Sequence, residues 1–433
     1  MSHFEFYDLV YEHYLAYVGL LTLFVVLYIY IGKNYTHTWF DPLRLYLLSA
    51  AFTAVVPAFL YATDTIDFNI AAYFTLAQIL FWLIFLLFAK KKLLLSRKTL
   101  TNEKNSAFIL YLAFLTLYFV SICLSYMMLG IPIFKESRLD TYTGSGLGIL
   151  ERLMPFFQVY CIFYSFYLWK NSSGFSNKRI LTILSFFLFA ITGVLSGSRS
   201  SFFIFLFVFW GYSYYYVRDT EAIKNKYKFI VLGIVISLAT FSIQSGTYNI
   251  LASMSSFGLR AISSGDNYYM ALPNDMYKQV KTGPWFNHLF YGLLGPLHII
   301  NGNGMPPPIG FQLTWLVNPS LYGQSTGPLS SPALLGYVYF GWGGLLFSAV
   351  MGMFVSLVIF RLPTLLPKGI ISSILSTYIY IEMLSFIGDP CLGMAFLFDI
   401  ILNSTILIML ILLINKVSQQ GPLNEARGNH AFQ

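Results

Sequence analysis

Long apolar runs recur along the chain, and their length predicts transmembrane helices. A helix needs about 20 apolar residues to cross a bilayer. Eleven stretches meet that rule: 10–32, 43–62, 68–89, 106–130, 150–169, 179–196, 200–217, 228–244, 332–360, 369–388 and 391–414. Only Ser196-Gly197-Ser198-Arg199-Ser200 separates the sixth from the seventh. The pattern breaks at 245–330, which is rich in Gly and Pro and holds no clean span. It carries Arg260, Lys278, Lys281, His288 and His298, and it ends in the polar run Tyr322-Gly323-Gln324-Ser325-Thr326-Gly327. In so apolar a chain, a loop of this length is where water-accessible chemistry is housed. The expectation is one all-α integral membrane domain over 1–433. It has an outer loop at 131–150 and a large outer loop at 245–330 held over a membrane cavity.

Composition sharpens this picture. The chain is 57% hydrophobic and 10% charged, with mean hydropathy +0.66, whereas soluble domains carry about 25% charged residues. Its net charge of +8 comes mostly from basic residues in short loops between spans, which argues against nucleic acid as a partner. Cys123, Cys161 and Cys391 fall in or beside apolar runs. They form no CxxC pair and no zinc spacing, and no metal motif of the DxD or HExxH kind is present. The first residues carry Glu5, Asp8 and Glu12 rather than a basic segment, so no cleavable signal is expected.

Lys and Arg accumulate in cytoplasmic loops. The run Lys90-Lys91-Lys92 with Arg97, Lys98 and Lys104 sets the loop after the third span inside. Alternation then leaves all but seven of the 26 Lys and Arg on that side. This predicts an N-terminus outside and a C-terminus inside. The seven exceptions are Lys135, Arg138, Arg152, Arg199, Arg260, Lys278 and Lys281. Each opposes the usual bias. A lone Arg199 in a tight turn is explained by snorkelling or helix capping, yet its small neighbours Gly197, Ser198 and Ser200 also let an anion approach closely.

One ordered set of short motifs runs through the chain. Gly130-Ile131-Pro132-Ile133-Phe134-Lys135-Glu136-Ser137-Arg138 leads through Thr143-Gly144-Ser145-Gly146 to Glu151-Arg152-Leu153. The Ser196–Ser200 turn, the large loop, and Leu335-Gly336-Tyr337-Val338-Tyr339-Phe340-Gly341-Trp342-Gly343-Gly344 follow. With the topology, this order resembles the Wzy-type O-antigen or oligosaccharide repeat-unit polymerases over about residues 130–360. The resemblance implies a GT-C-like glycosyltransferase of the bacterial inner membrane, active at its periplasmic face. Such an enzyme transfers a growing glycan from undecaprenyl diphosphate to the next carrier-linked repeat unit. Membrane lipids and a chain-length regulator protein are further partners it implies, and no cofactor is expected. An O-antigen ligase and a flippase or transporter of the same lipid-linked unit are the alternatives.

That reaction sets the candidate residues. A lipid-diphosphate leaving group calls for planar, permanently charged donors, and periplasmic-loop arginines handle the anionic substrates in the family. Arg199, Arg138 and Arg260 are the candidates here, with Arg152 and Lys281 behind them. The attacking hydroxyl needs a base. His298 and His288 are the leading candidates, ahead of Asp266 and Asp275, although a lone His in an apolar setting is as often structural. Asp389 reads as a helix N-cap. Glu382 and Asp399, inside the last two spans, face a cavity or a partner, and they also suit proton coupling in a transporter. The Gly341–Gly344 run allows close helix packing.

Overall fold

The computed structural model describes residues 1–38, 41–89, 103–134, 148–172, 176–197, 201–217, 258–302 and 304–429; side chains are not described at 103–104, 201–202 and 417–429. Among these residues the protein is all helical, with no strand. Among the described residues, eight helical stretches are long and apolar enough to cross a membrane, the bent stretch Pro332–Leu365 counted as one, making it a polytopic membrane protein.

Nearly all the predicted spans are helices. They are α2 (Tyr14–Gly32), α3 (Pro42–Ala62), α4 (Phe68–Phe88), α5 (Glu103–Leu129), α6 (Gly148–Asn171), α7 (Asn177–Leu195) and α8 (Ser201–Gly211), which runs on as a π-turn over Tyr212–Val217. A short α1 (His3–Glu12) precedes them, opened by a Ser2–Glu5 capping box. The predicted span 228–244 lies outside the described residues. Local signals set the ends: Asp41 caps α3, its carboxylate accepting the Leu43 N–H at 3.0 Å, with Pro42 in the first turn where a missing N–H costs nothing.

The expected single span at 332–360 is instead a helical hairpin. α12 (Pro332–Phe340) ends at Gly341, whose φ of +55° and ψ of −129° only glycine adopts readily, and α13 (Gly344–Phe360) starts after the turn. A Cβ on Gly344 would stand 2.4 Å from the Gly336 carbonyl carbon and 2.2 Å from the Tyr73 hydroxyl. Eight residues apart in sequence, Gly336 and Gly344 therefore touch, which a continuous helix forbids. Composition alone hides this reversal, since both arms are apolar.

α13 packs along α4 through a stripe of small residues four apart: Gly344, Ser348, Gly352 and Ser356. A Cβ on Gly352 would meet the Phe81 carbonyl oxygen at 2.3 Å, and the Ser356 hydroxyl donates to the Phe85 carbonyl at 2.7 Å. Backbones meet this closely only where side chains are absent or tiny. α14 (Ile370–Met383) and α15 (Pro390–Asn429) complete the domain, joined through a turn at Asp389.

The long loop folds onto these helices over its described part. Between α8 and α12 it holds α9 (Asp266–Ala271), α10 (Trp285–Leu294) and α11 (Ile309–Val317). α10 lies along α15, where a Cβ on Gly292 would strike the Ala395 backbone at 2.7 Å. The Gly-rich polar run doubles back on α11: Gly327 and Gly310 cross backbone to backbone, a Cβ on Gly310 falling 1.8 Å from the Pro328 carbonyl oxygen. The Asp389 carboxylate ties the loop's end to the α14–α15 turn, accepting the Ser330 N–H at 3.0 Å and the Cys391 N–H at 2.8 Å.

Candidate functional site

Segment 258–272 reaches down to the middle of the helices. The Tyr17 hydroxyl donates to the Ile262 carbonyl at 3.2 Å, and Thr53, midway along α3, donates to the Ser264 carbonyl at 3.3 Å. A Cβ on Gly265 would overlap Val56 of α3, at 2.4 Å. Below this segment, α2, α3, α4 and α13 leave a cavity of about 350 Å³, within the range of small-molecule sites, about 300–1,000 Å³.

Its wall mixes aromatic rings and polar groups with small aliphatic residues. Tyr28, Tyr46, Phe81 and Trp82 supply rings, while Ser49, Thr53, Gln78, Asn267, Ser331 and Ser348 supply neutral polar groups. A chain of hydrogen bonds crosses it: Tyr28 donates to Gln78 Oε1 at 3.4 Å, Gln78 Nε2 donates to the Tyr268 hydroxyl at 3.4 Å, and Ser331 donates to the same hydroxyl at 2.9 Å. The charged residues on the described wall are Arg260 and Asp266, paired at 3.1 Å. The Arg260 side chain is 57% exposed and that of Asp266 11%, so Arg260 marks the mouth. Burial raises the Asp266 carboxyl above its ordinary value, and the Arg260 charge pulls against that.

α1 covers this segment: the His3 ring is hydrogen-bonded to the Tyr269 hydroxyl, and Tyr7 donates to the Leu259 carbonyl at 3.3 Å.

Of the candidate residues singled out from sequence, Arg260 and Asp266 line the cavity; Arg138 and Arg199 lie outside the described residues. Arg152, on α6, pairs at 2.6 Å with Asp399 of α15 and lies over the Phe398 ring at 5.1 Å. Asn403 braces that pair, donating to the Arg152 carbonyl at 3.2 Å and to the Asp399 carbonyl at 2.7 Å. Half-buried Glu382 lies within electrostatic reach of Asp399 and of Tyr46 on the cavity wall. The Lys281 side chain is exposed on the loop, while its backbone N–H donates to Gln312 at 2.8 Å.

The two histidines sit elsewhere. His288, on α10, is buried and its Nδ1 is 2.7 Å from the Tyr339 hydroxyl; burial lowers its pKa. His298 is exposed, with a left-handed backbone (φ +56°) at the end of a 3₁₀ turn. Neither lines the cavity, whereas Asp266 does. Among the described residues no three His, Cys, Asp or Glu side chains converge as a metal site would require.

Sequence reading missed Gln78, Tyr268, Ser331 and Ser348. Ser348 carried a signal, the four-residue spacing of small residues along α13. Gln78 was an amide in the middle of an apolar span, where polar groups are rare and partnered. No protein-family model matches the chain, and neither a curated protein nor a solved structure is similar to it.

Proposed function

We propose that this chain is a membrane glycosyltransferase acting on a lipid-diphosphate-linked glycan at the outer face of a bacterial inner membrane, as a repeat-unit polymerase. The observation that carries the reading is the cavity shared by membrane helices and the long loop, with a buried carboxylate and an exposed guanidinium paired at its mouth. Glycosyl transfer needs both groups. The acceptor hydroxyl attacks the anomeric carbon, a new C–O bond forms, and the bond from that carbon to the diphosphate oxygen breaks. Asp266 takes the hydroxyl proton, and Arg260 turns to the departing diphosphate. As Arg260 leaves, Asp266 loses its counter-charge in a buried place and becomes the better base. Arg138 and Arg199 remain proposed contacts for the same diphosphate.

The Arg152–Asp399 pair and nearby Glu382 favour one other reading, a proton-coupled flippase, because charged groups inside spans mark ion paths as well as structural pairs. One assay separates the two. Purified protein is given its lipid-linked repeat unit without metal or nucleotide, and products are resolved by size. A ladder of longer glycans on lipid diphosphate supports the polymerase. Movement of the unit across a vesicle membrane without lengthening replaces it with the flippase.

A further inference from the structure

We propose that the inner end of the cavity, built by Gln78, Tyr268, Ser331 and Ser348, is a subsite for one uncharged sugar ring, and that the lipid diphosphate stays outside it at Arg260. This inference rests on the glycosyltransferase reading and assigns the two halves of its substrate to different parts of the cavity.

Charge decides against the diphosphate. Arg260 is the one cation on the described wall, and it stands at the exposed mouth already paired with Asp266. A diphosphate taken past that pair would lose its water with no cation to replace it, a cost few binding sites meet. A carboxylated sugar fails for the same reason. A neutral ring meets a wall matched to it: the aromatic rings of Trp82 and Phe81 for its C–H surface, and amide and hydroxyl groups for its hydroxyls.

Two unmet hydrogen-bonding capacities point inward to a ligand. Ser348 is 0% exposed, lines the cavity, and its hydroxyl has no hydrogen-bond partner. Its neighbours on the α13 stripe are engaged, Ser356 with the Phe85 carbonyl and Gly352 against Phe81; at Ser348 the α4–α13 seam opens instead of closing. The Tyr268 hydroxyl accepts from Gln78 and Ser331, which leaves its own hydrogen free to donate. Buried polar groups are rarely left unmet unless something visits them. The cavity volume, near the lower end for ligand sites, suits one or two rings.

The test is saturation-transfer NMR on the full-length protein in detergent, with glucose, galactose, rhamnose and N-acetylglucosamine as neutral probes and glucuronic acid as the charged one. At least one neutral sugar is expected to bind, glucuronic acid not at all, and inorganic pyrophosphate is expected not to compete. Ser348→Leu, which fills the inner end, and Gln78→Leu should each weaken sugar binding at least tenfold with unchanged size-exclusion profiles. If both variants misfold, the pyrophosphate competition on the unmodified protein still decides. Competition by pyrophosphate, or no neutral sugar bound by a protein that lengthens glycans, overturns the subsite while leaving the enzyme intact. Sugar binding that Ser348→Leu removes, in a protein that never lengthens glycans, keeps the subsite and overturns the glycosyltransferase.

Discussion

Arg260 reaches the Asp266 carboxylate across 3.1 Å with more than half of its own side chain exposed, while Asp266 is buried. The pair is thus unequal. Arg260 loses little by changing partners, whereas Asp266 loses its counter-charge, which makes an arriving anion a means of raising the basicity of a carboxylate.

Asp266→Asn is expected to lower glycan lengthening by about 10²–10⁴-fold, the usual contribution of a general base, with insertion and protein level unchanged. The pH signs follow from the raised carboxyl value, caused by burial and opposed by Arg260. The rate falls as acid titrates Asp266 at a pH above the usual carboxylate value. Stability moves oppositely: between the unfolded value near 3.8 and the raised one, the folded state keeps a proton that the unfolded chain releases, so this group's share of stability declines as pH rises. A pH–rate profile with no acid limb, or Asp266→Asn near full activity, sinks the assignment.

Gly352→Val should be among the most damaging single changes in the membrane helices. Even the first added carbon falls 2.3 Å from a carbonyl oxygen of α4, and backbone cannot swing aside as a side chain does. Overpacking of this kind costs about 1–3 kcal/mol or more. The expected reading is loss of the monodisperse protein after detergent extraction, and a normal thermal melt would show that α4 and α13 do not meet there.

The helices were legible because lipid demands one simple thing of a span, an unbroken apolar length. Cys161 and Leu407, far apart in sequence, obey it equally. The hairpin was not legible, since reversal at Gly341 depends on a dihedral and on Gly336 meeting Gly344. The cavity was half legible. Arg260 and Asp266 stood out as charges in a loop, but Gln78 and Tyr268, 190 residues apart, become neighbours only when the loop dips between α3 and α4. Arg152 stood out for opposing the charge bias. Its meeting with Asp399 gives the physical reason: the two charges offset each other between α6 and α15.

Breaking that pair from one side should hurt more than removing both charges. Arg152→Met leaves Asp399 without its cation and is expected to cost up to about 3–5 kcal/mol, while Arg152→Met with Asp399→Asn recovers most of it. Melting curves of the two single variants and the double variant check this. A double variant that folds and lengthens glycans leaves the pair a structural role; one that folds but fails to lengthen them gives Arg152 a part in the reaction.

His288 should report on acid stability rather than on catalysis. Burial lowers its pKa below the unfolded value of 6.5, so below that pH the unfolded chain takes up a proton that the folded protein resists, and stability falls as pH drops. His288→Gln keeps a polar partner for Tyr339 and should flatten this part of the curve below pH 6.5, with lengthening near normal at pH 7.5. A large loss of activity at pH 7.5 in a well-folded variant would return the histidine to the reaction.

The proposed orientation turns on two exposed lysines at opposite ends of the hairpin region, Lys281 in the long loop and Lys368 between α13 and α14. With Cys123, Cys161 and Cys391 replaced by Ser, Lys281→Cys should react with an impermeant thiol reagent added outside the inner membrane, and Lys368→Cys only after the membrane is opened. Basic charge favours this arrangement, because Arg361 and Lys368 flank the second loop. The chemistry requires it too, since the cavity mouth at Arg260 belongs to the same loop as Lys281. Labelling in the reverse pattern would put that mouth in the cytoplasm, where a polymerase of exported glycans has no use for it, and the proposed function would fall with the orientation.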